Sequence, residues 1–243
     1  MQTSGRSLIR TLLKSLLDFF YPACCIGCGG ELMAHEELLC ADCRVQLPYI
    51  GCEEGMRGNP VFANIAGRVP VLFAAAVFDF KKKGIVQHLL HELKYKGRPE
   101  IGVFLGRIAG ERLCNSGCFP TPDYIVPVPL HRRKEKKRGY NQSLCIAKGF
   151  AQFFPEATIE KDLLEKRSES ESQTRKNRAA RWENVKTSFC LSEAALQESR
   201  FIGKHFLIVD DVFTTGATVE SCARQILKIP DAKVSVVTIA SPI

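Results

Sequence analysis

Two adjacent carboxylates, Asp210 and Asp211, end the apolar run Phe206-Leu207-Ile208-Val209 and are followed closely by Thr214, Thr215, Gly216, Ala217 and Thr218. The order reads as a buried strand ending in acids, then a helix opening on hydroxyls. Amides at a helix start point outward, and the dipole there favours an anion. Gly216 lets the backbone approach a ligand closely, and three threonine hydroxyls add donors. Together these groups can wrap a phosphate monoester, each charge-assisted bond contributing about 1.5–3 kcal/mol. The acids cannot bind phosphate themselves. They can accept hydrogen bonds from ribose hydroxyls, or reach Mg²⁺ directly or through water. A Walker loop is excluded here, because no Gly-Lys-Ser/Thr is present. The bland alternative is an acidic turn with a threonine cap.

A second constellation lies near the start. Cys25 and Cys28, then Cys40 and Cys43, form two C-x2-C knuckles with eleven residues between them. Four thiolates suit a tetrahedral zinc ion, and no activating base is apparent, so the expected role is structural. The glycine after Cys28 allows a tight turn beneath the metal. Gly29 to Leu39 is long enough for a hairpin. Cys24, Cys52 and His35 are the alternative ligands. The remaining cysteines, Cys114, Cys118, Cys145, Cys190 and Cys222, lack knuckle spacing and read as core or incidental. Eleven cysteines without an export signal favour metal over disulfides and a cytoplasmic location.

The third feature is charge. Formal net charge is +8, with −1 over residues 1–70 and +9 over the rest, which points any anionic partner to the C-terminal part. The densest segment is Arg132 to Arg138, with six basic residues and one acid. It reads as a loop that either closes over a pyrophosphate, binds a nucleic-acid backbone, or is simply solvated. Tyr140 nearby offers a ring for base stacking. Arg175, Lys176, Arg178 and Arg181 form a second basic stretch.

These groups need a frame. Composition, 45% hydrophobic and 25% charged, is that of a globular protein. Leu8, Ile9, Leu12, Leu13, Leu16, Leu17 and Phe20 recur at helical spacing, interrupted by Lys14 and Asp18, which predicts an amphipathic helix rather than a signal. The longest apolar run, Val69 to Phe78, is too short for a membrane span of about 20 residues. Gly51 to Pro70 is punctuated by glycine and proline. We place a boundary there, with a zinc-ribbon module over 1–65 and a larger domain over 66–243. In the latter, strands are predicted at 71–80, 123–128, 206–209 and 234–239, and helices at 85–96, 102–114, 141–154 and 217–227. Alternating strands and helices imply an α/β fold with a mostly parallel sheet covered on both faces. Ligands in such sheets bind where strands end, which directs attention to the turns after Val128 and Val209.

Val209 to Thr218 resembles the phosphoribosyl-pyrophosphate (PRPP) signature of type I phosphoribosyltransferases. Ile125-Val126-Pro127-Val128-Pro129-Leu130, Arg138-Gly139-Tyr140-Asn141-Gln142, Gln173, and Arg181-x-x-Asn184 followed by Phe189 narrow the match. In this order they resemble the ComF family (the ComFC or GntX type), which joins a zinc module to a phosphoribosyltransferase-like domain. Tyr140 stands where phenylalanine is common, and Leu191 to Gly203 matches no motif. The resemblance implies PRPP binding with Mg²⁺. Asp210 and Asp211 would meet the ribose as the catalytic carboxylates, Thr214, Thr215, Gly216, Ala217 and Thr218 the 5-phosphate, and Val128 the pyrophosphate turn. It also implies handling of single-stranded DNA in natural transformation, with a competence helicase as partner. The alternative is an active transferase that moves phosphoribosyl from PRPP to a nucleobase or another small acceptor.

Overall fold

The computed structural model describes residues 23–51, 59–166 and 189–242. The helix expected over 8–20, Cys52, and the stretch containing Gln173, Arg181 and Asn184 lie outside the described residues. The chain divides into two compact units between Leu47 and Pro48.

The first unit is built around its cysteines. Cys25 N donates to Gly30 O and Gly29 N to Cys25 O, which closes the first knuckle, and Gly29 takes φ +76°, as expected for the residue after Cys28. Helix α1 (Ala41–Val45) follows Cys40 and carries Cys43 on its buried side. Glu36 joins the two halves, accepting from Met33 N at 2.8 Å and Ala41 N at 2.7 Å. The segment between the knuckles makes only the isolated antiparallel bridges Cys24–Glu31 and Glu37–Leu39, and no continuous hairpin ladder.

The second unit is the α/β fold that the alternating pattern predicts. Its elements are α2 (Pro60–Ile65), β1 (Phe73–Asp79), α3 (Ile85–Tyr95), α4 (Pro99–Asn115), β2 (Tyr124–Pro127), α5 (Arg132–Arg138), α6 (Gln142–Phe150), β3 (Thr158–Ile159), β4 (Leu164–Lys166), β5 (Phe189–Leu191), α7 (Glu193–Gln197), β6 (His205–Val212), α8 (Ala217–Ile226) and β7 (Lys233–Ser241). Five strands pair in parallel in the order β1-β7-β6-β2-β3, and β4 and β5 form a separate antiparallel pair. The central strands are mostly apolar and almost wholly buried, as strands covered on both faces are. Ala74, Ala76, Val126, Phe206, Ile208, Val234 and Val236 pack with Val61 and Ile65 of α2 and Val219, Cys222 and Ile226 of α8. The alternate residues Ile125, Leu207, Val209 and Val237 are buried on the other face, where α4 and α6 lie.

Two local devices position these layers. Buried Asn59 caps α2 through Val61 N and bonds both Ala76 N and Ala76 O, so residues preceding β1 are stitched to it. Helices α4 and α6 nearly touch. A Cβ on Gly106 would stand 2.0 Å from Ile146 O, and one on Gly149 2.0 Å from Val103 O. Only glycine fits at either contact.

The basic run differs from expectation. Arg132–Arg138 is a helix, not a loop. His131 caps it by accepting from Arg133 N at 3.2 Å, and Gly139 ends it in the left-handed conformation at φ 88°. None of its residues is buried. Strand β6 also runs past both acids to Val212 instead of ending before them.

Candidate functional site

Strands β2 and β6 are neighbours, so their C-terminal ends bring the two expected turns together. Val128 N donates to Val209 O at 3.0 Å, and buried Asn141 donates through Nδ2 to Val128 O at 3.0 Å. The Asn141 Oδ1 accepts from Ser143 N at 2.9 Å and thereby caps α6. One residue thus ties the Pro127-Val128-Pro129 turn to the helix behind it. Its neighbours do similar work. Arg138 donates to Gln142 Oε1, and the Tyr140 hydroxyl donates to Leu93 O at the end of α3. Tyr140 is half-buried with its hydroxyl engaged. The Arg138-to-Gln142 run therefore anchors the ends of three helices, α3, α5 and α6.

Asp210 and Asp211 are both buried at the end of β6. Asp210 Oδ1 accepts from Ser143 Oγ at 3.0 Å and from Asp211 N at 2.9 Å. Burial, and next the Asp211 charge, push the Asp210 carboxyl up to about 7, against the pull of those donors and of Lys94. Lys94 of α3 stands 2.9 Å from Asp211 Oδ2 as an ion pair. The approach is not aligned as a hydrogen bond, so that buried oxygen keeps unused acceptor capacity. This is the kind of group that a ribose hydroxyl or a hydrated cation satisfies.

The loop after β6 holds the other expected residues. Phe213 N donates to Ala240 O at 2.8 Å, which fixes where the loop departs. Thr214 and Thr215 are exposed, Gly216 caps α8 at φ 75°, and Ala217 and Thr218 form its first turn. Among the described residues, the amides of Thr214, Thr215 and Gly216 meet no protein acceptor. Ala217 N is held loosely by Thr215 Oγ1 at 3.4 Å. The result is an open nest of donors at a helix start, the geometry that suits an oxyanion.

Several residues of this region were not singled out from the sequence. Arg68 donates to Thr215 O at 2.7 Å and stands 3.7 Å from Glu220 Oε2. Arg224 donates to Glu220 Oε1 at 3.0 Å and to Arg68 O at 2.8 Å. This charged lattice holds the loop from below. Lys94 and Ser143 are the other two. A basic run, Lys94-Tyr95-Lys96-Gly97-Arg98, is the one sequence signal that marks Lys94.

In the first unit, the Sγ atoms of Cys25, Cys28, Cys40 and Cys43 all lie within 4.8 Å of one another. Cys28 Sγ is 3.8 Å from Cys40 Sγ, and tetrahedral zinc with bonds of about 2.3 Å places its sulfurs about 3.8 Å apart. Gly30 N donates to Cys28 Sγ at 3.4 Å and Cys40 N to Cys25 Sγ at 3.3 Å. Backbone donors of this kind stabilise thiolates. The cluster is compatible with zinc, and His35 is not part of it.

Among the described residues, no helix is long and apolar enough to cross a membrane. A scan against protein-family models finds no match. The DNA utilization protein YhgH of Salmonella typhi is 34% identical over 225 residues, spanning 88% of this chain and 95% of that protein. Competence protein F of Haemophilus influenzae is 23% identical over 86% of this chain and 93% of that protein. Among solved structures, a glutamine PRPP amidotransferase from B. subtilis aligns with 60% of this chain and 30% of that one, at 17% identity and a TM-score of 0.38. Relatives matched over most of both chains place this one: it belongs to the ComF family of phosphoribosyltransferase-like proteins, with a four-cysteine cluster in its N-terminal unit.

Proposed function

We propose that the loop after β6 binds the ribose 5-phosphate part of PRPP, and that the protein uses this ligand while handling single-stranded DNA. The observation that carries the reading is the pairing of buried acids with open amides at one strand end. The 5-phosphate sits on Thr214 to Thr218, accepting from the amides and hydroxyls. Asp210 and Asp211 take the ribose hydroxyls, and Asp211 Oδ2 is the oxygen best placed to meet Mg²⁺ or one of its waters. Magnesium supplies charge neutralisation for the pyrophosphate when PRPP is bound. Val128 shapes the turn beside that pyrophosphate. Zinc, held by Cys25, Cys28, Cys40 and Cys43, is structural. The DNA part rests on the names of the relatives and on the basic surface of the second unit. It brings with it a cytoplasmic location and a competence helicase as partner.

A second reading, phosphoribosyl transfer to a nucleobase or another small acceptor, is favoured by the Asp210 carboxyl at about 7. A group in that range can take a proton from an acceptor near neutral pH. Titrating PRPP with Mg²⁺ and single-stranded DNA, each with and without the other, tests the first reading. Two independent failures to bind would refute it. Pyrophosphate release on adding nucleobases tests the second, and no release with any of them would dismiss it.

A further inference from the structure

A cavity of about 660 Å³ opens between the end of α3 and α5, lined by Lys94, Tyr95, Lys96, Gly97, Lys134, Lys137 and Arg138. Five of these seven residues are cationic and none is acidic. Lys94 has its charge engaged by Asp211, and Arg138 donates to Gln142. Lys96, Lys134 and Lys137 have no carboxylate partner among the described residues. Three unpaired ammonium groups facing one space repel each other unless an anion enters.

The ring at the mouth narrows the choice of anion. Tyr95 is 69% exposed, a large share for an aromatic side chain. It is not loose. Its ring lies 5.0 Å from that of His91 and 6.0 Å from the Arg138 guanidinium. An inorganic pyrophosphate needs the lysines but has no use for the ring. A nucleotide uses both, with phosphate on the cations and base on the aromatic face.

We infer that this cavity is a nucleotide subsite, with the phosphate held by Lys96, Lys134 and Lys137 and the base stacked on Tyr95. The inference rests on the single-strand part of the function proposed above and does not need the PRPP part. It differs from a backbone contact along α5 alone, because it draws in the α3–α4 turn and adds a stacking platform. Lys94 joins this subsite to Asp211, so the two ligands share one side chain.

Full-length protein is titrated with a labelled oligothymidylate, with dTMP and with inorganic pyrophosphate, over a range of salt. Tyr95→Ala weakens oligothymidylate binding by tenfold or more, with the salt slope unchanged, since stacking carries no counterions. Tyr95→Trp restores it. Lys96→Gln with Lys134→Gln weakens binding and flattens the log–log salt slope by up to about 0.7, the value for one phosphate contact. Both positions are exposed, so neither variant threatens the fold. Binding of dTMP as tight as that of the oligomer assigns the subsite to a free nucleotide, and a gain with chain length assigns it to a strand. Equal oligothymidylate affinity in wild type, Tyr95→Ala and the double-glutamine variant overturns the subsite while leaving single-strand binding intact. Loss of pyrophosphate binding alone in the lysine variant also overturns it, as a bare phosphate cradle. A wild type that binds no oligothymidylate overturns both the subsite and the single-strand reading.

Discussion

Replacing Asp210 by asparagine separates what this carboxylate contributes to binding from what it costs the fold. The side chain is buried, and its carboxyl lies at about 7 instead of its ordinary 3.8. In the unfolded chain the proton is lost near 3.8, while in the fold it is kept to about 7. Between those values the folded state binds more protons, so stability falls as pH rises, and the full penalty is present above about 7. A displacement of about 3 pH units at about 1.4 kcal/mol each sets a ceiling of about 4 kcal/mol. Asparagine keeps the Oδ1 acceptor for Ser143 Oγ and Asp211 N. Its new amide lacks a known acceptor, which costs about 1–3 kcal/mol. The expected net gain at pH 8 is therefore about 1–3 kcal/mol, or about 2–4 °C per kcal/mol in the unfolding midpoint of a chain this size. At pH 5 most of the gain disappears, because the wild-type carboxyl is then protonated. Thermal unfolding of both proteins at pH 5 and pH 8 measures this. A midpoint difference that is the same at both pH values, or that favours wild type more at pH 8, would refute the electrostatic account of the pair.

Three further outcomes follow from the packing and the cysteine cluster. Elemental analysis of purified protein finds about one zinc per chain, lost in Cys25→Ser with Cys40→Ser; full retention in that variant removes the assignment. Gly106→Ala destabilises the second unit by more than about 2 kcal/mol in denaturant unfolding, because its methyl would stand 2.0 Å from Ile146 O; a neutral result means α4 and α6 are not in close contact. Asn141→Ala costs about 1–3 kcal/mol, since it removes a helix cap and leaves Val128 O without its donor, and an unchanged midpoint would show that the tether carries no weight.

The features that sequence reasoning reached are those written in consecutive residues. The acids, threonines and Gly216 follow one another along the chain, so strand, loop and helix start are legible as a unit. The knuckles are legible because their spacing is itself the geometry. The strands of the parallel sheet are legible as short apolar runs between helical patterns. What escaped depends on pairs far apart in sequence. Lys94 meets Asp211, Ser143 meets Asp210 and Arg68 meets Thr215, and no local pattern announces such partners. The segment Arg132–Arg138 reads as a loop from sequence because six like charges outweigh helix propensity locally. His131 and Gly139, a cap at each end, are the local signals of the helix. The antiparallel β4–β5 pair was also out of reach, because each strand has only three residues. Gly102, Gly106 and Gly110, four residues apart, carried a readable sign of close helix packing.

In the proposed function the strand-end acids and the threonine loop together hold a sugar phosphate. Calorimetric titration of PRPP with Mg²⁺ tests it most directly, using wild type, Asp210→Asn with Asp211→Asn, and Thr215→Val. Wild type is expected to bind PRPP saturably, near one per chain. Affinity falls at least tenfold in the double variant and several-fold in Thr215→Val, with the fold retained in both. Wild-type affinity in both variants, or no PRPP binding by the wild type, would contradict it.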